Sequence, residues 1–312
     1  MSTATGVTAT WPRLPLGEWQ STYSTLHRWT QIVGKTRLRL SPMQNHWWHC
    51  TLYVTSRGLG TSPIPYEDRT VEIEFDFLDH RLVVRTSDGE TRTLPLGPQA
   101  VADFYREYLR LLGSLGFEIR FHAAPNEIAD AVPFADDRVH ASYDADAAQR
   151  CWKLLVQADR VLKEFRGRFV GKCSPVHFWW GGFDLACTRF SGRRAPPHPG
   201  GFPNLPDYVT RDAYSHECIS AGWWPGGGPI AEPAFYAYAY PEPPGCPDAA
   251  VRPAAARYDT TMREWILPYE AVRQASDPDT ALLEFLQSTY EAAAELGDWD
   301  RASLEYVKPN AG

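Results

Sequence analysis

The chain has 312 residues, 44% of them hydrophobic and 22% charged, which is the composition of a globular protein rather than of a fibre or a disordered chain. The formal net charge of -7, from 38 acidic and 31 basic residues, opposes nucleic-acid binding as the main function. Charged residues, glycine or proline interrupt every apolar stretch before the ~20 residues that a membrane-spanning helix needs. The first residues lack the basic and apolar regions of a secretory signal, so we predict a cytoplasmic protein that does not enter a membrane.

Cysteine and aromatic content indicate how the core is built. The six cysteines contain no C-x-x-C pair, and a chain of this length can bury a core without disulfides, so we predict reduced thiols. The sequence also contains 12 Trp, 15 Tyr and 14 Phe, together with 26 Pro and 23 Gly. This combination favours aromatic rings packed in sheets that are joined by stiff turns.

The first half of the chain has the pattern of a helix, a set of strands and a second helix. Apolar spacing predicts a helix over 19–33, and the Trp47-Trp48 segment that follows is interpreted as a strand. On a strand His46 and His49 would face opposite sides, which argues against a shared metal ion. Alternating apolar and acidic residues, followed by turn residues, predict strands over 70–78, 81–86 and 91–96, and then a helix that begins near Pro98.

The second half repeats this order. A helix is predicted over 147–165, and strands are predicted over 215–221, 234–240 and 264–267. Asp277 as N-cap and Pro278 in the first helical position predict the last helix. Two Pro/Gly-rich stretches, 192–213 and 241–255, are predicted loops, and structureless loops of ~15 residues or more in a compact domain are often functional.

Two segments suggest that the halves arose by duplication. SPMQNHWWHCTLYVTSRG from Ser41 and SPVHFWWGGFDLACTRFSG from Ser174 share Ser-Pro, Trp-Trp and Leu-x-x-Thr when single-residue gaps are allowed. Chance similarity is the alternative. We predict an α+β fold of largely antiparallel sheets packed with helices, in two halves related by a pseudo-twofold axis. The predicted parts are an N-terminal extension 1–18, a first half 19–122, a connecting segment 123–146, a second half 147–300 and a tail 301–312.

Polar residues that could carry chemistry concentrate between positions 172 and 217. His216 or His177 is a candidate general base or metal ligand, because histidine titrates near neutrality, and Glu217 or Asp184 could orient or assist it. Strand alternation puts His216 and Glu217 on opposite faces, so one strand does not supply both to one pocket. A divalent metal held by the two histidines and a carboxylate remains open, although the H-E-x-x-H motif is absent.

Candidate substrate-binding residues lie in the same region. Arg189 and Arg193 lead from a strand into a Pro/Gly-rich loop, where guanidinium groups can bind a carboxylate or phosphate. Trp180, Tyr214 and Tyr238 are candidate pocket walls, because small-molecule sites are commonly ring-lined cavities with a few polar groups. Packing of these rings in the core is the alternative.

Three segments resemble sequence blocks of a bacterial family. They read SPVHFWWGGFDLACTRFSGR, DAYSHECISAGWWPGGG and EPAFYAYAYPEP, and the resemblance extends from about Trp19 to Leu296. The family is DUF5996, a domain of unknown function without an established activity, cofactor or catalytic residue. The resemblance therefore implies a bacterial, cytosolic protein and transfers no site.

These residues support two functions. The first is an enzyme that acts on a small molecule through a His/carboxylate site, with the arginines holding an anionic substrate group. The second is a non-catalytic ligand-binding or interaction protein that uses an aromatic-lined pocket. Nucleic-acid binding by the basic residues of 160–194 would be a third, and it would weaken steeply with salt.

Overall fold

The computed structural model describes residues 10–307 of the chain. Residues 1–9 of the predicted N-terminal extension and residues 308–312 of the predicted tail lie outside this range. Helices and two antiparallel sheets make up the described part, which confirms the predicted α+β class. Among its helices, none has both the length and the apolarity needed to cross a membrane.

The first sheet follows a long helix, α1 (Leu16–Leu40). Its strands are β1 (Tyr53–Val54), β2 (Gly58–Gly60), β3 (Ile64–Tyr66), β4 (Arg69–Asp76), β5 (Arg81–Thr86) and β6 (Thr91–Pro95). They are ordered β1-β2-β4-β5-β6, and β3 also pairs with β4. Val71, Ile73 and Phe75 of β4 are fully buried, as the alternating sequence predicts. The acidic face of β4 is not fully exposed, because Glu74 and Asp76 are buried as well and pair with arginines. Helix α2 (Val101–Ser114) follows this sheet.

The second sheet follows helix α3 (Ala145–Gly167). Its elements are β7 (His177–Trp179), β8 (Asp184–Arg194), helix α4 (Asp207–Ala213), β9 (His216–Trp224), β10 (Ala234–Tyr240), β11 (Arg257–Asp259) and β12 (Glu264–Pro268), and the strand order is β11-β12-β10-β9-β8-β7. Three helices end the described chain: α5 (Tyr269–Arg273), α6 (Pro278–Leu296) and α7 (Arg301–Leu304). Asp277 caps α6 by accepting from the Thr280 backbone N–H, with Pro278 in the first turn, as predicted.

The two faces of the second sheet differ in what they contact. Leu185 and Cys187 on β8 and Trp223 on β9 are fully buried on the face that packs against α3 and α6. Because side chains alternate along a strand, Asp184 and Thr188 of β8 lie on the other face, where they line a cavity. The alternation therefore separates a packing face from a site face.

Both halves of the chain contribute to one hydrophobic core. Leu52 and Phe178 exchange backbone hydrogen bonds of 2.9 and 2.8 Å between the two halves. Trp11 and Leu14, which lie in the predicted N-terminal extension, are almost fully buried, and the Trp11 ring centroid is 6.3 Å from that of Phe235 on β10. The described part of that segment is thus integral to the core.

The first helix is longer than the sequence predicts. The prediction ends at Val33 because the following residues are polar and lack apolar spacing. The helix continues to Leu40 because Lys35 and Arg37 are themselves buried. Arg37 donates to the Thr51 carbonyl, so its charge is placed where a hydrogen bond offsets part of the cost of burial.

Two further predictions are wrong at their boundaries or in type. The Trp47-Trp48 segment is not a strand: His46 and Trp47 have φ of 57° and 63°, and a 3-10 turn covers Asn45–Trp47. This turn brings His46 to the site described below. The helix predicted to begin near Pro98 begins at Val101 instead, because the chain is still extended at Ala100, the residue that serves as N-cap.

Candidate functional site

A cavity of about 520 Å³ lies on the site face of the second sheet. Its floor is formed by strands β8, β9 and β10. Its walls come from α1, from the 3-10 turn, from the connecting segment at 122–127, and from the loop and helix at 202–214. Parts of the chain that are far apart in sequence therefore meet at this one place.

Aromatic side chains line much of the cavity. Tyr236 and Tyr238 of β10 stack with ring centroids 6.0 Å apart, and the hydroxyls of Tyr214 and Tyr238 are 2.6 Å apart. The other rings in the lining are Trp47, Trp48, Trp179, Trp180, Phe190, Phe202 and Tyr208. Thr188 and Ser220 add a pair of hydroxyls 2.9 Å apart on the floor. Such a lining fits the flat or apolar part of a small molecule.

Glu127 places a carboxyl group in this lining. Its backbone has φ of 59°, an uncommon conformation for a residue other than glycine, and its N–H donates to the Pro203 carbonyl at 2.8 Å. Its carboxyl group lies against Gly181, where a Cβ would meet Oε1 at 1.9 Å. Glu127 is exposed, and it lines the cavity. Because protein surrounds it on its other sides, desolvation raises its pKa from 4.5 to about 7, with a further contribution from the charge of Asp184.

Asp184 is the neighbouring carboxyl group. A Cβ added to Gly182 would lie 2.9 Å from Asp184 Oδ1 and 3.8 Å from Glu127 Oε2, so both carboxyl groups lie within 4 Å of one point. Burial raises the pKa of Asp184 from 3.8 to about 6, although the Tyr236 hydroxyl donates to Oδ2 at 2.5 Å and favours the charged form. On β12, Glu264 has a pKa raised to about 7 by burial and by the charges of Asp184 and Asp259.

A buried hydrogen-bond network holds the Glu127 segment in place. Gln31 of α1 donates to the Asn126 carbonyl at 2.9 Å and accepts from the Asn126 N–H at 2.7 Å. His27, one turn earlier, bonds through Nε2 to the Gly181 carbonyl at 2.8 Å. Burial lowers the His27 pKa to about 4, so it is neutral at pH 7. Helix α1 thus fixes both sides of the contact between Glu127 and Gly181.

Three further titratable groups of the lining are partnered or remain protonated. Lys35 donates to Asn126 Oδ1, and burial lowers its pKa to about 8. His46 bonds through Nδ1 to the Ala213 carbonyl at 2.8 Å, and burial lowers its pKa. The Cys50 thiol has its pKa raised to about 12 by burial, so it is not a thiolate near neutrality. The carboxyl groups of Glu127 and Asp184 have pKa values raised towards neutrality and are candidates for proton transfer.

The structure brings four of the predicted site residues to this cavity, namely Asp184, Trp180, Tyr214 and Tyr238. His177 is completely buried behind it, with its ring centroid 6.0 Å from that of Trp48 and 5.5 Å from that of Trp179. Neither ring nitrogen of His177 has a hydrogen-bond partner within residues 10–307, and burial lowers its pKa to about 3. It is a neutral packing residue in this position.

His216 and Glu217 lie outside the lining. The His216 ring is 5.6 Å from that of His46, and its Nδ1 is 3.1 Å from Ser215 Oγ. Glu217 points to the other face of β9, as strand alternation predicts, and accepts from Arg193 Nε at 2.8 Å and from Ser191 Oγ. The two residues therefore do not share a pocket.

The two predicted arginines stabilise helix ends instead of facing the cavity. Arg189 is fully buried on the packing face, where it donates to the Phe165 carbonyl in the last turn of α3 and lies 3.5 Å from the Phe165 ring centroid. Arg193 donates to the carbonyls of Gly297 and Asp298 at the end of α6. Cations at helix C-termini are favourable because they meet unpaired carbonyls and the negative end of the helix dipole.

The predicted metal site has no matching set of ligands among the residues that the structure describes. Within residues 10–307, no group of three or more His, Cys, Asp and Glu side chains is arranged to hold a metal ion. His177 is enclosed by rings, and Asp184 bonds to Tyr236. The described residues therefore do not form the metal site predicted at His177 and His216.

Glu127 and Lys35 were not identified from the sequence. Glu127 lies in a connecting segment without periodicity, and Lys35 follows the point where apolar spacing of α1 stops. The sequence carried one signal for Tyr236, which shares the strand face of Tyr238. The position of Glu127 is evident only from the structure, in which the connecting segment contacts the loop at Pro203.

Gly34 sets the distance between α1 and the cavity wall. A Cβ at this position would lie 2.2 Å from the Trp180 ring. We expect Gly34→Ala to destabilise the protein by about 1–2 kcal/mol, because displacement of the indole outweighs the gain in helix propensity. Urea unfolding and tryptophan fluorescence measure both effects. Gly113→Ala is the matched control in α2, where a Cβ would meet nothing within 4 Å, and an equal loss there would contradict the assignment.

Comparison with known proteins identifies a family and nothing beyond it. The model of a family of unknown function (DUF5996) matches residues 11–306, nearly the whole chain. No curated protein matches the chain, and neither does any solved structure. A statement about function therefore has to come from the geometry of the cavity.

Proposed function

We infer that this chain, which belongs to the DUF5996 family, is an enzyme that performs general acid–base chemistry on a small, ring-bearing molecule bound in the cavity. The observation that carries the proposal is the pair of neighbouring carboxyl groups, Glu127 and Asp184, in an aromatic lining. Their pKa values of about 7 and 6 lie on either side of pH 6.5. Groups that titrate near the working pH are the most effective proton donors and acceptors.

The surroundings of the two carboxyl groups suggest their roles. The Tyr236 hydroxyl donates to Asp184 at 2.5 Å, which favours the ionised form and a role as general base. For the Glu127 carboxyl group no donor is found within residues 10–307, and desolvation favours its protonated form, which suits a general acid. Between pH 6 and 7 the pair would then hold one proton between them.

The cellular setting is part of the same proposal. All six cysteines are free, and the thiols of Cys173 and Cys187 are hydrogen-bonded with their Sγ atoms 3.6 Å apart. A bacterial cytoplasm, the location that the sequence predicts, belongs to this proposal. The chemistry described uses only side chains of this chain.

The second candidate function is binding without turnover. It is favoured by the extent of the aromatic lining, since ten rings contact the cavity within residues 10–307 and suffice for a binding protein. In that case Glu127 and Asp184 would hold polar groups of the ligand without exchanging protons with it. The two functions differ in whether a bound molecule is converted.

One screen distinguishes these functions. The protein is incubated at pH 6.5 with a panel of ring-bearing small molecules, binding is detected by thermal shift, and conversion is detected by mass spectrometry. We expect compounds that raise the melting temperature to include at least one that is converted. Gly34→Ala, with a displaced Trp180, is expected to respond less to the same compounds. Ligands that bind but are never converted would favour the binding protein.

A further inference from the structure

The carboxyl groups at the cavity have no positive partner. Within residues 10–307, no lysine, arginine or histidine forms an ion pair with Glu127 or Asp184, and no cation contributes to their pKa shifts. A buried carboxylate elsewhere in this protein does have such a partner: Asp76 pairs with Arg57 at 2.7 Å. A partner other than residues 10–307 is therefore needed to balance the negative charge of these carboxyl groups.

Lys35 does not supply that balance. It is the only lysine in the lining formed by residues 10–307, and no arginine joins it. Its ammonium group donates to Asn126 Oδ1 and lies 5.5 Å from the Trp180 ring centroid. Its pKa is lowered by burial alone, without a contribution from a carboxylate. The lysine is thus directed at an amide and a ring.

The aromatic lining is suited to a positive group as well. The faces of Trp and Tyr rings attract ammonium groups, and rings arranged around a carboxylate form a common binding site for amines. In this cavity Trp180 immediately precedes Gly181, which contacts Glu127, and Tyr236 donates directly to Asp184. Rings and carboxylates therefore occupy the same part of the wall.

An anionic ligand does not fit these charges. The two arginines that could have bound one, Arg189 and Arg193, are turned to the ends of α3 and α6. An added carboxylate or phosphate would face Glu127 and Asp184 at close range and would be repelled.

We propose that the cavity binds a molecule carrying a protonated or quaternary nitrogen next to a flat ring, with the negative charge of the Glu127 and Asp184 pair as its counter-charge and the aromatic lining as its apolar contact. This inference rests on the proposed function, because it names the substrate class of the same site. It adds a requirement for positive charge that acid–base chemistry alone does not impose.

Three probes of similar shape test the charge. Phenethylamine is cationic, phenethyl alcohol is neutral and phenylacetate is anionic, and each is titrated by calorimetry at pH 8.0, where both carboxyl groups are ionised. We expect phenethylamine to bind at least about tenfold more tightly than the alcohol, as partly desolvated cation–carboxylate and cation–π contacts would give, and phenylacetate to bind least.

Charge-neutralising variants test where the preference comes from. Glu127→Gln and Asp184→Asn are each expected to reduce the preference for the amine, while Asp130→Asn, an exposed carboxylate of the same segment outside the lining, keeps it. Melting temperatures show that each variant is folded, and two separate sites keep the test valid if one is not.

Each outcome decides the inference. Equal or tighter binding of the alcohol or of phenylacetate, no binding of any probe at millimolar concentration, or an equal loss in Asp130→Asn would overturn it. Binding of the neutral alcohol with no preference for the amine would leave the acid–base proposal standing. If the protein prefers the amine but converts no amine, the inference about positive charge is supported and the proposed enzymatic activity is contradicted.

Discussion

Replacing Glu127 by Gln is expected to lower kcat for the substrate of the cavity by about 100-fold, the lower end of what general acid–base catalysis supplies. Glutamine keeps the size of the side chain but does not donate the proton. In the unchanged protein, kcat/KM is expected to rise through pH 6 as Asp184 ionises and to fall above pH 7 as Glu127 loses its proton. Steady-state rates from pH 5 to 9 should show that the fall above pH 7 is missing in the variant.

The control for this prediction separates chemistry from folding. Desolvation raises the pKa of Glu127 above its unfolded value of 4.5, so its contribution to stability is complete below pH 4.5 and is lost as the pH rises through about 7. Glutamine does not ionise, so at pH 8 the melting temperature of the variant should equal or exceed that of the unchanged protein. A rate that stays unchanged, or falls equally in Asp130→Asn, would contradict the assigned role.

Removing Arg189 is expected to cost stability rather than ligand binding. Its guanidinium group is enclosed by the rings of Phe165 and Tyr290, 3.5 and 4.2 Å from their centroids, and it donates to the last turn of α3. Arg189→Ala leaves a cavity between the two rings and removes a hydrogen bond to the Phe165 carbonyl, and we expect it to lower the free energy of unfolding by about 3 kcal/mol. Urea titration measures this loss, and ligand affinity of the folded protein should not change.

Arg189→Met is the matched variant. Methionine fills a similar volume without a charge, and burial already lowers the pKa of Arg189 to about 10, which shows that its charged form is held unfavourably. Replacing a buried charge by an apolar group of similar size is often neutral, so Arg189→Met should unfold within about 1 kcal/mol of the unchanged protein. Loss of ligand affinity in both variants, with stability preserved, would restore a role for Arg189 in binding.

Other basic residues of the 160–194 segment are also engaged within the fold. The sequence shows a cluster of positive charge from 160 to 194, but the fold pairs much of it internally. Arg160 contacts Asp279 at 2.6 Å, Lys163 contacts Asp159 at 2.6 Å, and Arg193 contacts Glu217. Charge counted along the chain is therefore a poor guide to the charge that a partner would meet at the surface.

Local signals predicted the elements of this fold well. The buried apolar face of β4 and the Asp277-Pro278 start of α6 each appear where the sequence places them. Strand alternation correctly separates Glu217 from the other face of its strand. It also puts Tyr238 on one face together with Tyr236, which the sequence could show once the strand was identified. These features depend on neighbours within a few positions along the chain.

What the sequence alone determined is the class of fold, the main helices and strands, and which side chains of a strand share a face. Only the tertiary structure decided which face of the second sheet carries the cavity, and with it whether Asp184 or Arg189 faces a ligand. It also decided that Glu127 reaches Gly181. The physical reason is that periodicity reports contacts between near neighbours, whereas this site is formed by segments about 100 residues apart, joined by hydrogen bonds such as those of Gln31 with Asn126 and packed together by a core that the chain forms only as a whole.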